Sequence, residues 1–399
     1  MPPATTSKKY MSLTTAISTS INAMVGAGIF SVPLALQAEV GPAGIITYLL
    51  VIGSVWCIGL SLAQVGRIYP GVAAFYNYTA PWGGHILGMM TTCLYIVGLV
   101  IAMSLLTSVA GESIHTCVPL LPTPVAAYFL LLLLTLLSAA GLHISSMGQR
   151  ILFYTTITPI IIITILCLMT GSVQHLFPFA PYGYWSIIRA TRSVIFGFFG
   201  FECVTAFYPL LEHPTRDIPR ALTYAILFVG MLYTLFVFSI IFAMPTSFLS
   251  AHESASLIEL LTARFPQHQF LTYSVSIAII AAVVGTIHAM LWSASTLIVS
   301  AYTKAFPQHS IRPSTTLIGL SIIIGVLCTI ITDINLFFSI TALCVVTAYA
   351  LSITTLLLPR TRINTITRII GGIGLCSTII IGSCALYDIV YYMLHTMHM

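Results

Sequence analysis

Val25-Gly26-Ala27-Gly28-Ile29-Phe30, followed by Pro33, interrupts the first apolar run of the chain, 13–37. Glycine disfavours an uninterrupted helix and frees backbone N–H and C=O groups. In lipid such groups persist only where they line a cavity or are buried in protein. The same punctuation returns in the sixth apolar run, 190–211, as Phe196-Gly197-Phe198-Phe199-Gly200-Phe201-Glu202, closed by Pro209. A single Gly-x-Gly in a spanning helix is ordinarily a close-packing device. A matched pair five spans apart says more. Because five is odd, the second half of the chain runs inverted relative to the first, and paired broken helices in an inverted repeat point to a transporter's midplane binding site.

Composition sets the solvent. Of 399 residues, 58% are hydrophobic and 6% charged, against about 25% charged in soluble domains. Eleven apolar runs follow one another: 13–37, 43–65, 85–110, 124–143, 151–171, 190–211, 221–244, 271–303, 314–332, 335–358 and 368–393. Each is long enough for a spanning helix and none alternates with the period of a barrel strand. The fold class is therefore an all-α polytopic membrane protein of about eleven transmembrane helices. It divides into a cytoplasmic tail (1–12), a first inverted repeat of five helices (13–171), a second (190–358) and an additional helix (368–393). No cleavable signal peptide is evident. The net charge of +5 comes from residues between apolar blocks, not from a basic stripe, so nucleic acid is not an expected partner. The nine cysteines form no Cys-x-x-Cys pair and no metal-like spacing.

Orientation follows from the basic residues. With the amino terminus inside, Lys8, Lys9, Arg67, Arg150, Arg216, Arg220, Lys304, Arg312, Arg360, Arg362 and Arg368 fall inside, and only Arg189, Arg192 and Arg264 fall outside. The odd number of spans then leaves the carboxy terminus outside, and the expected location is the plasma (inner) membrane. In one outer loop, Ser250-Ala251-His252-Glu253 has the form of a capping box and Leu257, Ile258, Leu260 and Leu261 follow at helical spacing, which predicts a short amphipathic helix on the outer surface.

The two breaks carry complementary chemistry. Half-helix amino termini expose free N–H groups and a positive dipole end, which suit a carboxylate. Broken-segment carbonyls suit an ammonium or a metal cation. A ligand with both groups on one carbon is an α-amino acid. Ionisable groups inside the spans are few: Glu202, His288, and, near helix ends, His143 and Asp388. Such residues are functional candidates by default. A buried carboxyl bonded to freed backbone and a satisfied packing histidine are the plainer readings of the first two.

At these residues the sequence resembles the amino acid–polyamine–organocation family, which shares the LeuT-like fold. Gly26-Ala27-Gly28-Ile29-Phe30 matches its Gly-x-Gly-Ile-Phe motif. Arg67-Ile68-Tyr69-Pro70-Gly71 with Phe75-Tyr76-Asn77-Tyr78 looks like the entry to its third helix. Phe199-Gly200-Phe201-Glu202 and Glu212-His213-Pro214-Thr215-Arg216-Asp217-Ile218-Pro219-Arg220 resemble its sixth helix and the loop beyond, over a likeness running from Ser12 to at least Pro307. The resemblance implies substrate contacts at Gly26, Ala27, Gly28 and Ile29 in the first break and at Gly197, Phe198 and Gly200 in the sixth, with Phe196 closing over the substrate. Glu202, His288, Ser295 and Thr296 are the coupling or gating candidates, with Ser293 beside them. The family often has twelve helices, whereas eleven are read here. Some proton-coupled relatives place a lysine in the fifth helix, where this chain has Thr155, Thr156, Thr158 and Pro159.

The expected function is a symporter or exchanger of an amino acid, without a cofactor or a bound metal, coupled if at all to H+ or Na+. Glu202 is the one carboxylate central in the spans, so a neutral substrate is favoured over a cationic amino acid or a polyamine. An enzyme or a channel would need paired catalytic groups, a charge ring or a filter, and no P-loop supports ATP hydrolysis.

Overall fold

The computed structural model describes residues 10–26, 28–118, 120–245, 248, 257–267, 269–330, 334–358 and 363–396. Ser12 opens the first helix, α1 (Leu13–Met24), and its hydroxyl accepts from the Thr15 amide, meeting one of the donors a helix start leaves open. The chain leaves helical geometry at Val25 and re-enters it as α2 (Gly28–Glu39). A 3-10 turn at Gly41–Ala43 leads into α3 (Gly44–Ile68), and α4 (Ala74–Cys117), α5 (Thr123–Ala139) and α6 (Leu142–Thr170) complete the first half.

The sixth span is assembled from pieces. α7 (Trp185–Arg189) and α8 (Thr191–Phe196) lead to a turn over 197–200, and a 3-10 segment, Phe201–Leu210, follows. Ten residues is long for a 3-10 helix, which usually runs to about 3–4. Then come α9 (Pro214–Ala243), α10 (Leu257–Arg264), α11 (Gln269–Ala305), α12 (Pro313–Ile330), α13 (Ile334–Leu357) and α14 (Thr365–Thr396). Among the described residues, eight helices are long and apolar enough to cross a membrane. The shorter apolar α5 and the divided first and sixth spans bring the crossings to the eleven that hydropathy implies.

Two boundaries move for a physical reason. α6 starts at Leu142 rather than at 151, because Ser145 and Arg150, polar enough to read as loop, are engaged by neighbouring helices. The Ser145 hydroxyl donates to the Leu137 carbonyl at 3.0 Å, and the Arg150 guanidinium donates to Thr15 Oγ1 at 2.8 Å. α4 starts at Ala74 and bends at Gly84, so its first turns precede the apolar run.

The packing repeats five spans on. α4 packs on α5, and α11 on α12; α4 packs on α13, and α11 on α6. α5 meets α11 as α12 meets α4, while α3 and α9 face each other. α1 sits inside this frame against α6, α9, α11 and the 3-10 segment Phe201–Leu210.

The expected amphipathic helix is α10, with Leu257, Leu260 and Leu261 buried; its capping-box residues lie outside the described residues. It packs on α11 and α2 and sends Arg264 to the last turn of α9, whose final carbonyls have no intrahelical donors. The Phe242 carbonyl accepts from the Ser172 amide at 2.9 Å and from His175 Nδ1 at 2.8 Å, and the Ala243 carbonyl accepts from Arg264 Nε at 3.2 Å. Arg264→Ala removes a part-buried, charge-assisted bond worth about 1 kcal/mol. Amide hydrogen exchange across Leu257–Arg264 should therefore rise several-fold while the spans keep wild-type protection.

Candidate functional site

The first break begins where α1 runs out of donors. The Val25 amide still reaches the Ile21 carbonyl at 2.8 Å, but the Gly26 amide turns back to Met24 O at 2.9 Å. The carbonyls left behind are met from other helices. Thr286 of α11 donates to Asn22 O at 2.7 Å. The Tyr233 hydroxyl of α9 lies 2.9 Å from Met24 O and 3.1 Å from Gly197 O, so one proton is shared between carbonyls of both breaks. On the far side, α2 starts at Gly28, and the amides of its first turn have no carbonyl within α2 to bond.

The sixth break lies directly against the first. A Cβ on Gly28 would stand 3.3 Å from the Gly197 Cα, so the two backbones pass with no side chain between them. Gly200 has φ +106°, a left-handed conformation that favours glycine. A Cβ there would stand 2.8 Å from the Ala23 carbonyl carbon and closer still to its oxygen. Alanine at 200 would meet both penalties, backbone strain and a backbone clash. Phe198 and Ile29 are fully buried at this crossing, and the Phe198 and Tyr233 rings meet edge to face at 5.3 Å.

Glu202 sits one turn beyond. One carboxyl oxygen accepts from the Gly200 amide at 3.1 Å and the other from the Tyr95 hydroxyl of α4 at 3.1 Å. The Tyr349 hydroxyl of α13 faces the same carboxyl without reaching hydrogen-bonding geometry. Phe75 stacks on Tyr95 at 4.1 Å, and Phe201 packs on Tyr349 at 5.6 Å. The carboxyl thus ties the sixth break to α4 within an aromatic shell.

The sequence-derived residues are distributed as follows. Gly26, Gly28, Ile29, Gly197, Phe198 and Gly200 come together at the crossing. Ala27 and the Phe196 side chain lie outside what the structure describes; the backbone places Phe196 as the last residue of α8. Ser295 and Thr296 both donate to the Trp292 carbonyl of their own helix, whereas Ser293 reaches across to Cys203 O at 3.1 Å. His288 is buried on α11, beside Gln149 of α6. His143 is exposed and Asp388 half-buried. Among the described residues no group of His, Cys, Asp and Glu could hold a metal ion.

Tyr233, Thr286, Asn22, Gln149 and Tyr95 were not legible as site residues. The available signal was chemical: a hydroxyl or amide deep in an apolar run must find a partner. Tyr233→Phe keeps the ring and removes the shared proton, which should lower stability by about 1–3 kcal/mol. A thermal unfolding midpoint equal to wild type in detergent would refute that role.

Comparison with known proteins places this geometry in context. The family model described as amino acid permease matches residues 11–396. The branched-chain amino acid permease of Bacillus subtilis (strain 168) is 22% identical over 235 residues, 53% of this chain and 50% of that protein. The aspartate-proton symporter of the same organism is 26% identical over 256 residues, 60% of this chain and 49% of that protein. The chain thus aligns with about half the length of these relatives. Among solved structures, that of MhsT in complex with L-phenylalanine superposes with a TM-score of 0.70 at 13% identity, covering 96% of this chain and 100% of that one; this likeness concerns the fold alone.

Proposed function

This chain belongs to the amino acid permease family, and we propose that it is a secondary active transporter that moves a neutral amino acid across the membrane by alternating access. The observation that carries the reading is the crossing of the two broken spans, backbone against backbone, with the amino terminus of α2 beside it. Main-chain amides there would take the substrate carboxylate and main-chain carbonyls its ammonium. The repeats would be 13–171 and 190–358, in a plasma membrane with the amino terminus cytoplasmic, as the excess of inner Lys and Arg favours. Transport would run as exchange or as symport with H+ or Na+; the name of the aspartate-proton symporter is in keeping with the former ion.

The neutral-substrate reading draws support from Glu202. Both of its oxygens are occupied, by the Gly200 amide and the Tyr95 hydroxyl, and an unpaired cationic side chain in this interior would cost several kcal/mol. In proteoliposomes the protein should give saturable, counterflow-competent uptake, with leucine, methionine and phenylalanine competing better than arginine, lysine or putrescine. Inhibition in the reverse order would overturn the substrate class. Uptake that neither saturates nor shows counterflow would overturn the carrier itself.

Phe196, at the lip of the sixth break, is proposed to cover the apolar part of the substrate. Phe196→Ala should weaken apparent affinity about 10-fold or more, the scale of a lost large apolar contact, with yield and melting behaviour near wild type. An unchanged affinity removes Phe196 from the site.

A further inference from the structure

A chain of hydrogen bonds ties α1 to α6 and α11, and its direction is fixed. Asn22 Nδ2 donates to the Gln149 backbone carbonyl at 2.7 Å and to Gln149 Oε1 at 2.5 Å. Gln149 Nε2 faces the Gly285 carbonyl at 3.4 Å and His288 Nδ1 at 2.8 Å. A backbone carbonyl can only accept. The Gln149 carbonyl therefore sets the Asn22 amide, and Asn22 in turn puts Gln149 Oε1 on its own side. The Gly285 carbonyl requires the same orientation from the other end. His288 Nδ1 must then accept, so its imidazole is neutral and carries its proton on Nε2. That nitrogen is fully buried and, among the described residues, has no hydrogen-bond partner.

We propose that His288 is a proton-binding site whose protonation loosens the hold on α1. The incoming proton has one place to go, the Nδ1 lone pair. There it would point at the Gln149 NH2 group, donor against donor. Turning the Gln149 amide over presents Oε1 to the new N–H, but it also turns the NH2 group towards Asn22 Nδ2 and away from the Gly285 carbonyl. One side-chain amide thus has two exclusive settings: Gln149 Oε1 held by Asn22 with His288 neutral, or Oε1 held by the His288 cation with that one Asn22 bond lost. Four other ties, Asn22 Nδ2 to the Gln149 backbone carbonyl, Arg150 to Thr15, Thr286 to Asn22 O and Tyr233 to Met24 O, remain, so α1 is loosened rather than detached. Because Asn22 lies just ahead of the first break, the setting of this amide bears on the half helix that must move when access alternates. This consequence rests on the transporter reading above; the protonation itself does not.

Other titratable groups around α11 are engaged elsewhere or belong to its packing partners. α1 carries none among its residues. Arg150 of α6 is bonded to Thr15. Glu202 and Cys203 both contact Tyr95 of α4. The elements α5, α10 and α12, also packed on α11, carry Tyr128, Glu259, Arg264 and Cys328. Among the described residues the imidazole has one side-chain hydrogen-bond partner, Gln149.

The ring of Trp292 lies parallel to that of His288, with centroids 6.1 Å apart, and gives a direct readout. In the full chain carrying Trp56→Phe, Trp82→Phe and Trp185→Phe, Trp292 fluorescence should fall in one step as the pH is lowered from about 8 to 4, because an imidazolium quenches indole more strongly than a neutral imidazole and a histidine titrates in or near that window. His288→Gln should abolish the step. Gln149→Glu supplies a carboxylate to the Nδ1 proton and stabilises the cation, so the step should move to higher pH by about 1 unit or more. The pH profile of amino-acid counterflow in liposomes should move with it. A histidine serving only to fill space would show neither shift. Absence of the step in the Trp292-only protein, its persistence in His288→Gln, or an unmoved midpoint in Gln149→Glu would each overturn the proton site. A counterflow profile that stays put while the fluorescence midpoint moves would overturn its link to α1. A normal fluorescence titration in a protein with no counterflow at all would leave the proton site standing and remove the transporter reading.

Discussion

A backbone group released from a helix inside lipid has no water to bond, so the molecule must supply a partner or shape a cavity around it. The two breaks are arranged around that constraint. Asn22 O is met by Thr286, Met24 O and Gly197 O share the Tyr233 hydroxyl, and the Gly200 amide is held by Glu202. Each partner but Glu202 sits on a different spanning helix from the group it satisfies. The interrupted spans are therefore stable only within the bundle, and the bundle is tied together through them.

That dependence gives the fold a way to move. An unbroken helix satisfies its own backbone and can shift as a rod without exchanging hydrogen bonds. α1 cannot, because its ties run to α6, α9 and α11, and displacing it means trading partners at Thr15, Asn22 and Met24 together. Polar pairs of this kind stabilise by little when made but cost about 1–3 kcal/mol when one partner is left buried and alone. A displacement of α1 would therefore pass between discrete arrangements and not through a continuous deformation, in keeping with the alternating access proposed above. Glycine at 28 and 200 makes the arrangement possible sterically, since a Cβ at 28 would crowd the Gly197 Cα and one at 200 the Ala23 carbonyl.

Much of this could be read before any coordinates. The spans follow from hydropathy, the breaks from paired glycines, and the short helix α10 from leucines at helical spacing. Hydropathy misplaces the start of α6 because Ser145, Gln149 and Arg150 look like loop residues when taken one at a time, although they are the side chains that bind neighbouring helices. Ser295 and Thr296 show the converse. The sequence marks them as coupling or gating candidates, and both donate to the Trp292 carbonyl of their own helix, as hydroxyls in spanning helices commonly do.

The amino-acid sequence by itself determined the solvent, the number and order of the spans, and the two places where helical bonding fails, because apolar length and glycine content act over a few neighbouring residues. Tertiary structure alone decided which groups satisfy the broken backbone. Met24 and Tyr233 are 209 positions apart in the chain, Thr286 and Asn22 are 264 apart, and Gln149 stands 127 from Asn22 and 139 from His288. No local pattern connects residues at such separations. They meet because the helices cross at fixed angles in a packed bundle, and the direction of each hydrogen bond, including the one that keeps His288 neutral, is set only once both partners are in place.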